Sequence, residues 1–377
     1  MSWNSDYSLI DRLLHRVAFA TWPIQAAMAD MEETTFKARL TDIALDRPVF
    51  VSGLPRAGTT MVLQLIEKSG EFASYRYRDM PFLLTPMLWR ELTKSARRSV
   101  EARERAHGDG VAIGIDSPEA FEEVVWRTFC PKQYGSTSIK PWRGALDPDF
   151  VRFFGLQMRK IVAIRAEDEP GARRYLSKSN GNIARFASIA RMFPDAVILA
   201  PYRKPLDHAG SLLRQHLNFL EMHAADPFAR EYMAGIGHYD FGMNLKPINF
   251  GGWLDAGAPD FTTLNGWIRY WCAAYGFLVE QTDAPVHFLS YDALCEDDGG
   301  ELARLETVLG LSQPGALRSQ APDIWPTRAA VQPDDVDAEL LQRANAIFQQ
   351  LEARRIGDRP ATRPRRTAQR LEAQGPG

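Results

Sequence analysis

Apolar residues along the chain form two textures: short continuous runs, and longer stretches in which they recur every three or four positions. The runs at 48–52, 196–202 and 285–290 are too short for helices and read as buried parallel strands. Helical periodicity between and around these runs predicts helices over 58–69, 183–192, 206–221 and 262–281. Ahead of the first strand, Leu9, Leu13, Val17 and Ala20 share a helical face, and Pro23 begins a second helix just after Thr21. Residues 5–40 therefore read as one or two amphipathic helices packing on the sheet or on a second subunit. Residues 80–170 form a long insertion, helical around Leu88–Ala102 and Glu119–Phe129, with the polar Arg105–Gly110 between them. Gly235–Gly257 is rich in glycine and aromatics, lacks a period and reads as a long ordered loop. Strands alternating with helices predict an α/β fold with a central parallel sheet.

The first strand runs into Ser52-Gly53-Leu54-Pro55-Arg56-Ala57-Gly58-Thr59-Thr60 and then a helix. Backbone N–H groups of such a turn converge on one spot, and the helix dipole adds about half a positive charge there, which suits phosphate. Against the nucleotide-triphosphate pattern G-x-x-x-x-G-K-[ST], Gly53 and Gly58 keep the spacing, but Thr59 replaces the lysine and Thr60 takes the hydroxyl position. A cation, Arg56, stands inside the loop instead. The strand ending at Tyr202 also lacks the aspartate that holds Mg²⁺ in triphosphatases. The site thus reads as metal-free and built for a phosphate ester without a γ-phosphate.

Arg203 follows that later strand and Ser211 lies two turns into the next helix. Ligands of open α/β sheets bind outside the carboxyl ends of strands, so Arg203 and Ser211 can converge on a second anion near the first loop. A ligand phosphorylated at two places would satisfy both.

Taken together, these segments resemble the sulfotransferases that use 3′-phosphoadenosine 5′-phosphosulfate. Leu54-Pro55-Arg56-Ala57-Gly58-Thr59-Thr60 is similar to their 5′-phosphosulfate loop, and Arg203 with Ser211 to their 3′-phosphate motif at the same spacing. Tyr175-Leu176-Ser177-Lys178-Ser179-Asn180 resembles the family's lysine-bearing segment. Phe288-Leu289-Ser290-Tyr291-Asp292-Ala293-Leu294-Cys295 resembles its late strand and turn, with Asp292-Ala293 in place of an acidic pair. The resemblance spans roughly residues 47 to 312 in order. It implies a three-layer P-loop-like fold with a central parallel sheet flanked by helices, plus helical insertions. It also implies sulfuryl transfer from that donor, with no metal, to a hydroxyl or amine of an unidentified acceptor. Pro55, Arg56, Ala57, Gly58, Thr59, Thr60, Arg203 and Ser211 would bind the donor, and Arg56 and Lys178 would stabilise the leaving charge.

The acceptor's proton needs a base. Cytosolic members place a histidine two positions after the lysine, where this chain has Asn180, so the chain looks more like the carboxylate-base branch. Two regions compete. Asp79 follows the first helix, where that branch keeps its acid, although an ion pair with Arg76 or Arg78 would explain it equally. In Asp116-Ser117-Pro118-Glu119-Ala120-Phe121-Glu122-Glu123, Glu122 and Glu123 could face an acceptor cleft, while Asp116 with Glu119 resembles a capping box. His208, His216, His223 and His238 have no metal-ligand spacing, and only His238, in the glycine-aromatic loop, is a candidate acceptor contact. Met61 replaces the tryptophan that packs near adenine in the cytosolic branch.

A formal net charge of −2 gives no whole-protein drive toward nucleic acid. Cys130, Cys272 and Cys295 are odd in number and scattered, which suits a reducing cytosol. The N-terminus has acid where a signal peptide needs base, and the run from Val17 to Ile24 is far short of the ~20 residues of a membrane span, so a soluble cytoplasmic protein is expected. The expected organisation is N-terminal helices over 1–46 and one domain over 47–352 with insertions at about 80–170 and 222–260. An arginine- and proline-rich tail over 353–377 completes it, either solvated or touching an anionic partner. A homodimer is compatible with the N-terminal helices. Rival readings are a small-molecule or nucleotide kinase, which the missing lysine and aspartate argue against, and an inactive nucleotide-binding scaffold.

Overall fold

Five segments pair through parallel ladders, and alternate side chains of the central strands pack against helices on opposite sides. They are β1 (Val49–Val51), β2 (Phe72–Ala73), β5 (Arg174–Lys178), β6 (Val197–Tyr202) and β7 (Val286–Ser290); β3 (Arg103–Glu104) and β4 (Ala112–Ile113) form a separate antiparallel pair. The sheet order is β2-β5-β1-β6-β7, with β1 central. The structure is a computed structural model that describes residues 9–94, 103–104, 112–113, 119–142, 144, 146–281, 283–296, 300–323 and 336–356.

Register levels the carboxyl ends of β1 and β5, while β6 runs on together with β7. Val51 faces Lys178 on one side and Leu199 on the other, while Tyr202 faces Ser290. The chain turns from β1 toward β2 and β5 on one side and β6 and β7 on the other, so β1 ends at the crevice where open α/β sheets hold ligands. Val49, Val51, Leu176 and Leu199 pack with Val62, Ile66, Leu302 and Leu305 from the helices Thr59–Glu67 and Gly300–Leu309. Phe50, Tyr175, Ile198 and Phe288 face the opposite layer, which holds the helices Pro148–Ala166, Leu264–Glu280 and Ala338–Glu352. This period-two division is the three-layer α/β arrangement. Each fully buried Leu, Val or Phe contributes roughly 1.5–3 kcal/mol.

The helix Leu9–Ala20 forms where one was expected, but of the two expected partners for its apolar face the sheet is not the one it meets. Leu13 and Val17 are 63% and 48% exposed, whereas His15 and Ala18 turn inward, so the predicted apolar stripe does not pack on the sheet. Its successor, Trp22–Thr35, buries Trp22 and Ala29 and is fastened by Glu32 to Lys160 at 2.7 Å, both fully covered. The predicted helix over 183–192 begins as a 3₁₀ turn, Asn180–Ala184, and becomes α-helical at Phe186. In the insertion, helices occupy Pro86–Thr93 and Glu123–Phe129; Asp116 and Arg105–Gly110 lie outside the described residues, as does most of the basic tail. The 19-residue helix Pro148–Ala166, started by Asp147 accepting from the Asp149 N–H, was not foreseen. The glycine-aromatic loop is ordered by histidine acceptors: Gly242 N donates to His216 Nδ1 and Met243 N to His223 Nδ1, each at 3.1 Å.

Candidate active site

Between β1 and the helix Thr59–Glu67 the loop takes two left-handed residues, Arg56 at φ 69° and Gly58 at φ 86°. Glycine is required at 58 because a Cβ there would also drive into the Tyr291 ring. Gly53 is needed for a different reason, since its Cβ would stand 2.6 Å from the Pro201 carbonyl oxygen of β6. Arg56 carries backbone strain that glycine would avoid, and such strain is kept where a side chain is needed at a functional turn.

His208, on the helix Pro205–Ala225, clamps the loop. Its Nε2 lies 2.8 Å from the Pro55 carbonyl oxygen and its Nδ1 accepts from the Trp271 indole N–H at 3.2 Å. An indole N–H only donates, so Nδ1 is the bare nitrogen and Nε2–H donates to Pro55: the ring is neutral. Burial pushes the His208 pKa down to about 3 against the Pro55 hydrogen bond, with Arg203 and Arg56 adding to the depression.

The two anion motifs meet. Arg56 Nε donates to Ser211 Oγ at 3.2 Å, joining the first loop to the helix after β6. Arg203 is 3% exposed and its guanidinium lies 4.9 Å from the centre of the Tyr291 ring. Tyr291 opens the turn after β7, where Asp292 accepts from the Lys204 N–H at 2.8 Å. Lys178, 8% exposed, ends β5 beside β1, and Ser52 Oγ donates to the Asn180 carbonyl at 3.1 Å. Thr59 is buried at the first turn of its helix and Thr60 half-buried beside it; Pro55 and Ala57 are buried within the loop. Arg56, Lys178, Arg203, Ser211 and the N-terminus of the helix Thr59–Glu67 thus converge on one edge of the sheet.

The expected carboxylates are embedded. Asp79 accepts from the Arg76 N–H at 2.7 Å and from Arg165 in a buried ion pair, capping the turn Tyr77–Asp79. Its partner is neither the Arg76 nor the Arg78 side chain; Arg76 instead pairs with Glu67 and Glu169. Glu122, 1% exposed, accepts from Tyr175 at 3.0 Å, Trp126 at 3.1 Å and Asn182 at 2.8 Å. Glu123 accepts from Tyr134 at 2.6 Å, Ser179 at 2.7 Å and Arg185. The expectation that Glu122 and Glu123 face an acceptor cleft is therefore corrected: they brace the segment after Lys178, because a carboxylate this deep needs donors on every side. Glu119 does not cap the following helix, which starts at Glu123; its carboxylate accepts from Tyr77 and the Ala120 N–H.

Sequence reasoning overlooked Asp240, whose Oδ2 accepts from Asn180 Nδ2 at 2.7 Å, and underrated His238, whose Nε2 is 3.7 Å from the same oxygen. No local spacing announces either, because a 60-residue separation joins Asp240 to Asn180. The clamp by His208 was equally hidden. Among the described residues, no group of three or more His, Cys, Asp or Glu could hold a metal ion, and no helix is long and apolar enough to cross a membrane.

Fold and loop define an α/β protein with a P-loop-like strand–turn–helix at the end of β1. The chain belongs to the sulfotransferase family, whose sequence profile matches residues 48–244, just over half of its length. Among solved structures it is similar to the sulfotransferase STF9 from Mycobacterium avium, with 14% identity and a TM-score of 0.46, over 84% of this chain and 80% of that one. It is also similar to the sulfotransferase STF1 from Mycobacterium tuberculosis, at 13% identity and a TM-score of 0.43, over 85% and 81% of the two chains. No curated protein sequence matches it.

Proposed function

We propose that the protein transfers a sulfuryl group from 3′-phosphoadenosine 5′-phosphosulfate to a hydroxyl or amine of an acceptor, in line and without a metal. The observation that carries this reading is the Arg56–Ser211 hydrogen bond at 3.2 Å, which ties the two anion motifs into one site beside Lys178. The loop N–H groups with Thr59 and Thr60 take the 5′-phosphate, and Arg203 with Ser211 takes the 3′-phosphate. Arg56 and Lys178 neutralise the charge that builds on the bridging oxygen as the bisphosphate leaves. A carboxylate takes the acceptor's proton, since Asn180 occupies the position of the alternative histidine. Asp79 and Glu122 are candidates by place in the chain; their hydrogen bonds count against them.

In this reading the protein works in the cytoplasm, and any homodimer uses the exposed Leu13, Val17, Ile24 and Met31 of the first two helices. The acceptor is a small or polymeric hydroxyl compound of unassigned class. Calorimetry with adenosine 3′,5′-bisphosphate and with 5′-AMP tests the donor assignment. The bisphosphate is expected to bind at least tenfold more tightly, because one charge-assisted contact contributes about 1.5–3 kcal/mol. Equal affinities would remove the second phosphate site and the proposal with it.

A further inference from the structure

Asn180 stands two residues past Lys178 and bridges two elements that are distant in sequence. Its Oδ1 accepts from Thr59 Oγ1 at 3.4 Å, and its Nδ2 donates to Asp240 Oδ2 at 2.7 Å. One amide therefore links the first residue of the phosphate-binding helix to a carboxylate brought in by the loop after the helix Pro227–Gly235. The Asp240 side chain remains 25% exposed, against 5% for Asp79 and 8% for Glu123. It is thus a carboxylate at this end of the sheet that is partly open to solvent and held by no buried ion pair.

Its setting suits proton transfer. The neighbouring His238 ring stacks on Phe219 at 5.2 Å and 17°, which fixes the loop beside Asp240. Burial holds the His238 pKa below the ordinary imidazole range although Asp240 pulls it upward, and the Lys178 ammonium adds to the depression. The ring is therefore neutral at neutral pH and does not compete as a cation for the acceptor's place. Anchoring does not depend on Asp240, because His216 and His223 already hold the backbone at Gly242 and Met243.

We propose that Asp240 is the general base of the transfer, positioned by Asn180; the assignment rests on the sulfuryl-transfer reading of the site. As the acceptor oxygen forms its bond to sulfur, the bond from sulfur to the bridging oxygen of the 5′-phosphate breaks and its electron pair leaves with the bisphosphate. The acceptor's proton passes to Asp240, and nothing is oxidised or reduced.

The test uses the full chain and sulfur-35-labelled donor, with water as the acceptor, and follows release of labelled sulfate. Asp240→Asn should bind adenosine 3′,5′-bisphosphate within about twofold of wild type and melt alike, yet release sulfate roughly 10²–10⁴-fold more slowly or at the buffer rate. Asp240→Ala should regain turnover when formate is added, a rescue that a loop anchor would not show. Near-full turnover of Asp240→Asn, or failure of formate rescue in a folded Asp240→Ala, overturns the assignment. Wild type that binds the bisphosphate but cleaves the donor no faster than buffer, even with methanol or ethanolamine added as a small acceptor, overturns it too. Wild type that does not bind the bisphosphate refutes the donor reading instead.

Discussion

Replacing His208 by Gln should flatten the acid side of the protein's stability curve. The native ring must be neutral, because Trp271 donates to Nδ1 while Nε2–H serves the Pro55 carbonyl. Its pKa falls from 6.5 to about 3 on folding. The sign follows: the unfolded chain takes up a proton below about pH 6.5 while the folded one refuses it until about pH 3, so stability is complete above pH 6.5 and is lost as pH drops through that window. At pH 5 the unfolded form has gained about 1.5 pH units of proton binding, or about 2 kcal/mol at about 1.4 kcal/mol per unit. Urea melts of wild type and His208→Gln at pH 7.5 and pH 5 give the comparison directly. His216 and His223, both depressed to about 4, titrate alike in the two proteins and cancel in the difference. The variant should be weaker by about 1–3 kcal/mol at pH 7.5, where it loses one buried partner, and should close most of that gap by pH 5. Equal losses of stability in both proteins over this range would refute the neutral clamp.

Two further substitutions separate binding from chemistry at the opposite ends of the site. Arg203→Ala should weaken adenosine 3′,5′-bisphosphate roughly 10- to 150-fold by calorimetry, the worth of one charged contact, and leave 5′-AMP affinity nearly unchanged. Lys178→Ala should lower turnover by a larger factor than it raises the donor's apparent binding constant, because its charge acts most strongly in the transition state; steady-state kinetics showing only a KM effect would place Lys178 in ground-state binding.

The sheet was largely legible because buried parallel strands leave continuous apolar runs, and β1, β6 and β7 announce themselves that way. β5 is harder to see: Arg174 at its start and Ser177 and Lys178 at its end break the apolar run, although all but Arg174 are buried. The loop after β1 and the junction after β6 were legible for a related reason. Gly53, Arg56, Gly58 and the threonines follow one another because a single turn needs them, and Arg203 and Ser211 share one strand–helix junction. The outward face of Leu13 and Val17 was not legible, since an amphipathic pattern says which residues share a face but not what that face meets.

The partners of the candidate carboxylates are what local reading cannot supply, and the reason is topological. Position in the chain favours Asp79, yet the helix Pro148–Ala166 delivers Arg165 to it, and no spacing in the sequence connects the two. Glu122 and Glu123 are likewise answered by Tyr175, Asn182, Ser179 and Arg185, all around β5 and its following turn. These carboxylates orient the segment that carries Lys178, and stripping one would leave buried donors unsatisfied at about 1–3 kcal/mol each. A base must instead keep a lone pair turned toward a space the acceptor can enter. The proposed base Asp240 stays a quarter exposed while its loop is fastened two residues later by His216 and three later by His223, so that the carboxylate rests on Asn180. Under the proposed mechanism, exchange of the family's histidine for asparagine gains a physical sense: the amide cannot take a proton, but it can hold the carboxylate proposed to do so.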